Sequence, residues 1–156
     1  MVETGVFIKE TVMPAKVLDL LPPMPVHVLV ISGENDDHEL LRSIIGHSNW
    51  TLYTASNRSE ALELLRDNNI PVIICERDLP DGTWKDVLAE VGSFSRPPHL
   101  LVTSRLADDR LWAEVLNVGG YDVLAKPFVP AEVFRTISLA WLNWKDVKRA
   151  AAASAA

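Results

Sequence analysis

The stretch Val72-Ile73-Ile74-Cys75-Glu76-Arg77-Asp78-Leu79-Pro80-Asp81-Gly82 constrains this chain more than any other. An unbroken apolar run rich in Val and Ile predicts a strand buried on both faces, as in the middle of a parallel sheet. A polar run, Glu76 to Asp78, follows at once. Leu79-Pro80-Asp81-Gly82 then turns the chain, Pro presetting φ and Gly admitting positive φ. Open α/β sheets carry their sites at the carboxyl ends of strands, so Glu76, the first residue past the run, is the leading candidate.

The rest of the chain repeats the same alternation. Val26 to Ile31 is the first predicted strand, followed by the loop Ser32-Gly33-Glu34-Asn35-Asp36. Asn35 or Asp36 is expected to cap a helix to about Gly46, with Leu40, Leu41, Ile44 and Ile45 on one face. Thr51 to Ala55 is a second, shorter strand. Asn57 to Glu60 has capping-box spacing and opens a helix faced by Ala61, Leu62, Leu64 and Leu65. After the third strand, Trp84, Val87, Leu88 and Val91 keep helical spacing. His99 to Thr103 is the fourth strand, and Asp108 or its neighbour heads a helix stopped by Gly119-Gly120. Tyr121 to Leu124 is the fifth strand, and Pro130 introduces a last helix to about Lys148. Such an order predicts one α/β domain, with a parallel sheet, right-handed crossovers and helices on both faces.

Three segments are expected: a leader over residues 1–25, the domain over 26–148, and an Ala-rich tail over 149–156. In the leader, Val6-Phe7-Ile8 reads as a short strand or an apolar arm, and Lys16 to Leu21 has room for one helical turn. A net charge of −6 argues against a nonspecific nucleic-acid binder. No apolar run is long enough to span a bilayer. The single cysteine, Cys75, excludes an internal disulfide and suits a reducing, cytoplasmic compartment; within its apolar run it reads as a buried structural thiol. His27, His38, His47 and His99 show no metal spacing.

The residues at the strand ends resemble the receiver domain of two-component response regulators. Leu79-Pro80-Asp81-Gly82 stands where that family has its turn after the third strand. Gly119-Gly120-Tyr121-Asp122-Val123-Leu124-Ala125-Lys126-Pro127-Phe128 is similar to the family's closing motif. The resemblance covers about Val26 to Val147. It implies a flavodoxin-like (CheY-like), doubly wound five-stranded sheet of order 2-1-3-4-5, a cis Lys126-Pro127 peptide, and phosphoryl transfer to an Asp beside Mg²⁺. By the same resemblance Thr103 and Lys126 are the phosphoryl-site residues.

The chain departs from that pattern in three places. The acidic pair aligns with Ser32 and Gly33; Glu34 follows, at a position that usually points elsewhere. The phosphoacceptor aligns with Glu76, and the switch aromatic with Val123, although Tyr121 lies two residues earlier. The expected domain is a non-enzymatic pseudo-receiver in a phosphorelay, in which a Glu76–Lys126 pair replaces phosphorylation. No metal or other cofactor is expected to reside in it, weak Mg²⁺ binding being the limit. Its expected partners are proteins: a histidine kinase, an output protein, or a second copy through the face of the fourth helix, fifth strand and fifth helix. No nucleic acid or membrane is among them.

Other readings stand beside this one. Glu76 as a solvated loop acid and Thr103 as a plain strand end need no site. An atypical active receiver would take phosphate on Glu76 or on the nearby Asp78, whose displacement by two residues spoils in-line transfer. A nucleotide-binding enzyme would need a glycine-rich loop that Ser32-Gly33-Glu34 does not supply. Trp112, Trp141 and Trp144 read as core residues, or in part as interface anchors. The residues after Val147 are too few for an output domain, so output through another chain is expected.

Overall fold

The computed structural model describes residues 5–8, 11–14 and 25–155, with side chains over 25–146. The helical turn expected at Lys16 to Leu21 lies outside the described residues. Gly5–Ile8 (β1) and Thr11–Pro14 (β2) pair antiparallel, so the strand reading of Val6 to Ile8 holds. The domain then alternates: β3 (His27–Ile31), α1 (Asn35–Ile45), β4 (Thr51–Ala55), α2 (Arg58–Asp67) and β5 (Val72–Glu76). A small antiparallel pair, β6 (Asp78–Leu79) and β7 (Gly82–Thr83), forms the turn after β5. Next come α3 (Trp84–Val91), β8 (His99–Ser104), α4 (Asp109–Val118), β9 (Asp122–Ala125) and α5 (Pro130–Ala155).

The five central strands are parallel in the order β4-β3-β5-β8-β9, the doubly wound 2-1-3-4-5 arrangement. Because side chains alternate across a strand, each interior strand feeds two cores. Val28, Val30, Ile74 and Leu101 face α1 and α5, where Leu41, Ile44, Phe134 and Ile137 meet them. Leu29, Ile31, Ile73 and Val102 face α2 to α4, where Ala61, Trp84, Val87 and Val115 meet them. Each such side chain, once buried, contributes roughly 1.5–3 kcal/mol.

Local chemistry sets the ends. Asn57 Oδ1 accepts the Glu60 N–H (2.8 Å), while Glu60 Oε1 reaches the Ser56 N–H (2.8 Å). Thr83 and Asp86 form a full capping box on α3. Asp108 Oδ1 accepts the Leu111 N–H (2.9 Å), and Gly119 closes α4 at φ +116°. Helix α1 differs from expectation: Glu34, not Asn35 or Asp36, is its N-cap, and the Glu34 side chain makes no cap bond. Helix α5 continues to Ala155, consistent with the high helix propensity of alanine. No helix among the described residues is long and apolar enough to cross a membrane.

Candidate functional site

Parallel register brings four strand ends to one place. Glu76 lies opposite Thr103, and Ser104 opposite Ala125, so Lys126 follows directly on the edge of the same face. The Lys126 N–H donates to Ser104 O (3.2 Å), and the Lys126-Pro127 peptide is cis, as the resemblance implied. The Ser32 N–H donates to Ala55 O (3.0 Å), fixing the end of β3.

Lys126 is the hub. Its side chain is only 2% exposed, and its ammonium contacts Glu76 Oε2, Asp37 Oδ2 (2.6 Å) and Glu34 Oε2 (3.2 Å). The expected Glu76–Lys126 pair is therefore present, but within a larger cluster. Burial alone would lower the Lys126 pKa; hydrogen bonds to Asp37 and Glu76 outweigh that and hold it above its ordinary value. Burial pushes the Glu76 carboxyl up, with Lys126 acting against the rise. Arg105 Nη2 lies 3.6 Å from Glu34 Oε2 at the rim.

One expectation fails here. Glu34 does not point elsewhere: as N-cap of α1 it turns its carboxylate to Lys126. The acid lost at Ser32 and Gly33 is also made good, because Asp37, in the first turn of α1, is buried against Lys126. Positions three apart share a helix face, so Glu34 and Asp37 point together. The positive end of the helix dipole favours both anions. Ser32 Oγ donates to Asp37 Oδ2 (2.7 Å) and accepts the Glu34 N–H (3.0 Å), so it orients both acids. Asp37 carries a signal of its own in the sequence. With Leu41, Ile44 and Ile45 it heads the apolar stripe of α1, and an acid at the head of such a stripe needs a buried partner.

The remaining candidates divide. Thr103 is fully buried, and its Oγ1 has no hydrogen-bond partner. Gly33 is packed under the turn: a Cβ there would lie 3.2 Å from Pro80 Cγ. Asp78 is exposed and pairs with Arg77 Nε (3.0 Å), away from the cluster. Val123 is half-buried and lines a surface groove with Trp112, Ala125 and Glu132. Tyr121 cannot stand in for a switch aromatic, because it stacks on His99 (4.6 Å) at the amino end of β9. Cys75 is buried, and burial with the neighbouring Glu76 pushes its thiol far up, so it is inert as expected. Trp141 and Trp144 are buried, whereas Trp112 is half exposed.

The divalent ion implied by the resemblance can be tested against this donor set. Oxygens of Glu34, Asp37 and Glu76 lie within 4.8 Å of one another and are hard ligands of the right type. Lys126 Nζ, however, already rests on all of them. As arranged, the residues do not fit a divalent ion and the ammonium together.

Comparison with known proteins agrees with this architecture. The chain is 26% identical over 106 residues to the transcriptional regulatory protein SrrA of Staphylococcus aureus, a match covering 68% of this chain and 44% of that protein. The chain thus spans under half the length of the curated relatives it matches. A signal receiver domain of a putative Luxo repressor protein from Vibrio parahaemolyticus superposes with TM-score 0.74 at 16% identity, covering 81% of this chain and 98% of that one. A beryllofluoride-activated NtrC4 receiver domain, solved as a dimer, superposes with TM-score 0.69 at 23% identity, covering 76% and 98%. The family model described as the response regulator receiver domain matches residues 28–138. This chain, with its five-stranded doubly wound sheet and its lysine-centred strand ends, belongs to the response regulator receiver domain family.

Proposed function

We propose that this receiver domain is a non-enzymatic signalling module that works by protein–protein contact, in a state set by its own charge cluster and not by phosphorylation. The observation that carries this is the Lys126 ammonium seated on Glu76, the residue at the phosphoacceptor position. A carboxylate so engaged has its buried oxygen turned to an internal cation and not to an incoming phosphoryl group. Partners of the expected kind are a histidine kinase or an output protein. A second copy would dock on the face of α4, β9 and α5, where Trp112 and Leu116 are exposed.

Incubation with radiolabelled acetyl phosphate and Mg²⁺ tests the reading. No label is expected on the protein; acid-labile label on Glu76 or Asp78 would overturn it. One observation favours an atypical active receiver instead. Thr103 Oγ1, at the family's phosphoryl-binding position, is buried without a partner, and a buried hydroxyl in that state calls for an acceptor or a ligand. On that reading label appears, and Glu76→Gln or Asp78→Asn abolishes it according to which carboxylate carries it.

A further inference from the structure

The position of Lys126 has a consequence for the site's counter-ion. We infer that the Lys126 ammonium is the resident cation of the carboxyl-end site, held there by Glu34 and Asp37, so that the arrangement is complete without a divalent ion. This rests on the reading of the domain as a module set by its own charges and names how that state is kept.

Geometry and charge carry it together. The three carboxylates that could ligate a metal are the same three that Nζ touches. Arg105 adds a second positive group on Glu34 from outside. One ammonium and one guanidinium leave the cluster a single net negative charge, well short of the surplus that draws a hard divalent ion out of its water shell. Entry of such an ion would drive Nζ off its partners, yet the Lys126 side chain is 2% exposed and its backbone is tied to Ser104. An ammonium buried without its anions is costly.

The turn after β5 packs against the loop that leads into the acids. Pro80 lies over Gly33, and a side chain at that position would need Pro80 to yield by a few tenths of an ångström. The acids come from the N-cap and the first turn of α1, three residues apart, where they reach the lysine from the side of the helix. Ser32 Oγ, donating to Asp37, locks that approach.

Calorimetric titration with MnCl₂ and with MgCl₂ tests the inference on the full chain. The wild type is expected to give no saturable heat, and its Tm is expected to be the same in EDTA as in about 10 mM Mg²⁺, where a bound ion would raise it by mass action. Lys126→Met is expected to bind Mn²⁺ at least about tenfold more tightly than the wild type, and adding Asp37→Asn to it is expected to remove that gain. Lys126→Gln, which keeps a hydrogen-bond donor for the acids, replaces Lys126→Met if the latter does not fold. Saturable binding by the wild type, or a lysine variant that binds no better than the wild type, would overturn the inference. The two failures are distinct. Label on Glu76 ends the unphosphorylated reading whatever the titration shows. Metal binding by an unlabelled wild type ends only the claim for Lys126.

Discussion

The two ends of the central sheet are closed with opposite materials. At the carboxyl end three carboxylates converge on one buried ammonium. At the amino end the joints are ring pairs. His27 stacks on Tyr53 (5.7 Å) and shares a 2.8 Å hydrogen bond with its hydroxyl; His99 stacks on Tyr121 (4.6 Å) and bonds Asn143 (2.8 Å). A ring pair tolerates the loss of one polar atom, because its apolar contact remains. A buried ion cluster does not, because each member left behind is an uncompensated charge. Single substitutions should therefore cost far more at the carboxyl end.

The largest effect is expected from Lys126→Met. It strands Asp37 and Glu76 without their cation, and breaking a buried pair in this way costs about 3–5 kcal/mol. Urea unfolding measures it against His99→Phe, which keeps the stack on Tyr121 and should cost under about 1.5 kcal/mol, the value of one ordinary hydrogen bond. A lysine variant no less stable than the histidine variant would break the comparison. Asp37→Asn comes next. It removes one charge-assisted bond, worth about 1.5–3 kcal/mol, while Glu34 and Glu76 still hold the lysine.

That ranking bears on what the sequence made legible. Both cores followed from apolar runs such as Val72 to Cys75 and from helical spacing such as Trp84, Val87 and Val91, because burial is a property of each residue's own side chain; the strand order followed only from the resemblance to receiver domains. Glu76 and Lys126 were legible as strand-end residues of the right chemistry. Asp37 was legible only as the head of the α1 stripe, a place where a first-turn acid is usually a helix-dipole partner; that its buried partner is Lys126 shows only in the packing. The orientation of Glu34 lies beyond sequence pattern for a different reason: the side chain of an N-cap residue goes where its best partner lies, and Lys126 is 92 residues away. The exposure of Trp112 also lay beyond pattern, since its spacing on α4 matches that of a core residue. In the fold its indole instead reaches Asp122 Oδ1 (3.2 Å) at the surface.

Titration should separate the ends by sign. Burial lowers the His99 pKa below its ordinary 6.5, so its contribution is present above that pH and is lost as pH falls through the folded value. Burial raises the Glu76 pKa above its ordinary 4.5, so its contribution declines as pH rises from there through the folded value. Lys126, raised above 10.5, contributes at every pH below that and loses its contribution as pH climbs through its folded value. Urea stability measured from pH 4 to 7 should therefore lose a rising slope in His99→Phe and a falling slope in Glu76→Gln. A loss of the same slope in both variants would show that the two ends are coupled and not independent.

The smallest expected effect is the sharpest test of the amino end. Tyr53→Phe deletes the hydroxyl bonded to His27 Nδ1 and nothing else of the ring pair. Both residues are partly exposed near the sheet edge, where β4 has only β3 as a neighbour, so water replaces the lost partner and the cost should be about 0.5 kcal/mol, the low end for a hydrogen bond. His27 then keeps its stack and can take either tautomer. If the cost reached the level of Asp37→Asn, the His27–Tyr53 bond would be acting as a buried network member. The contrast between a charge-locked carboxyl end and a forgiving amino end would then reduce to a contrast in composition alone. A cost within error of zero would place the whole worth of the pair in ring contact.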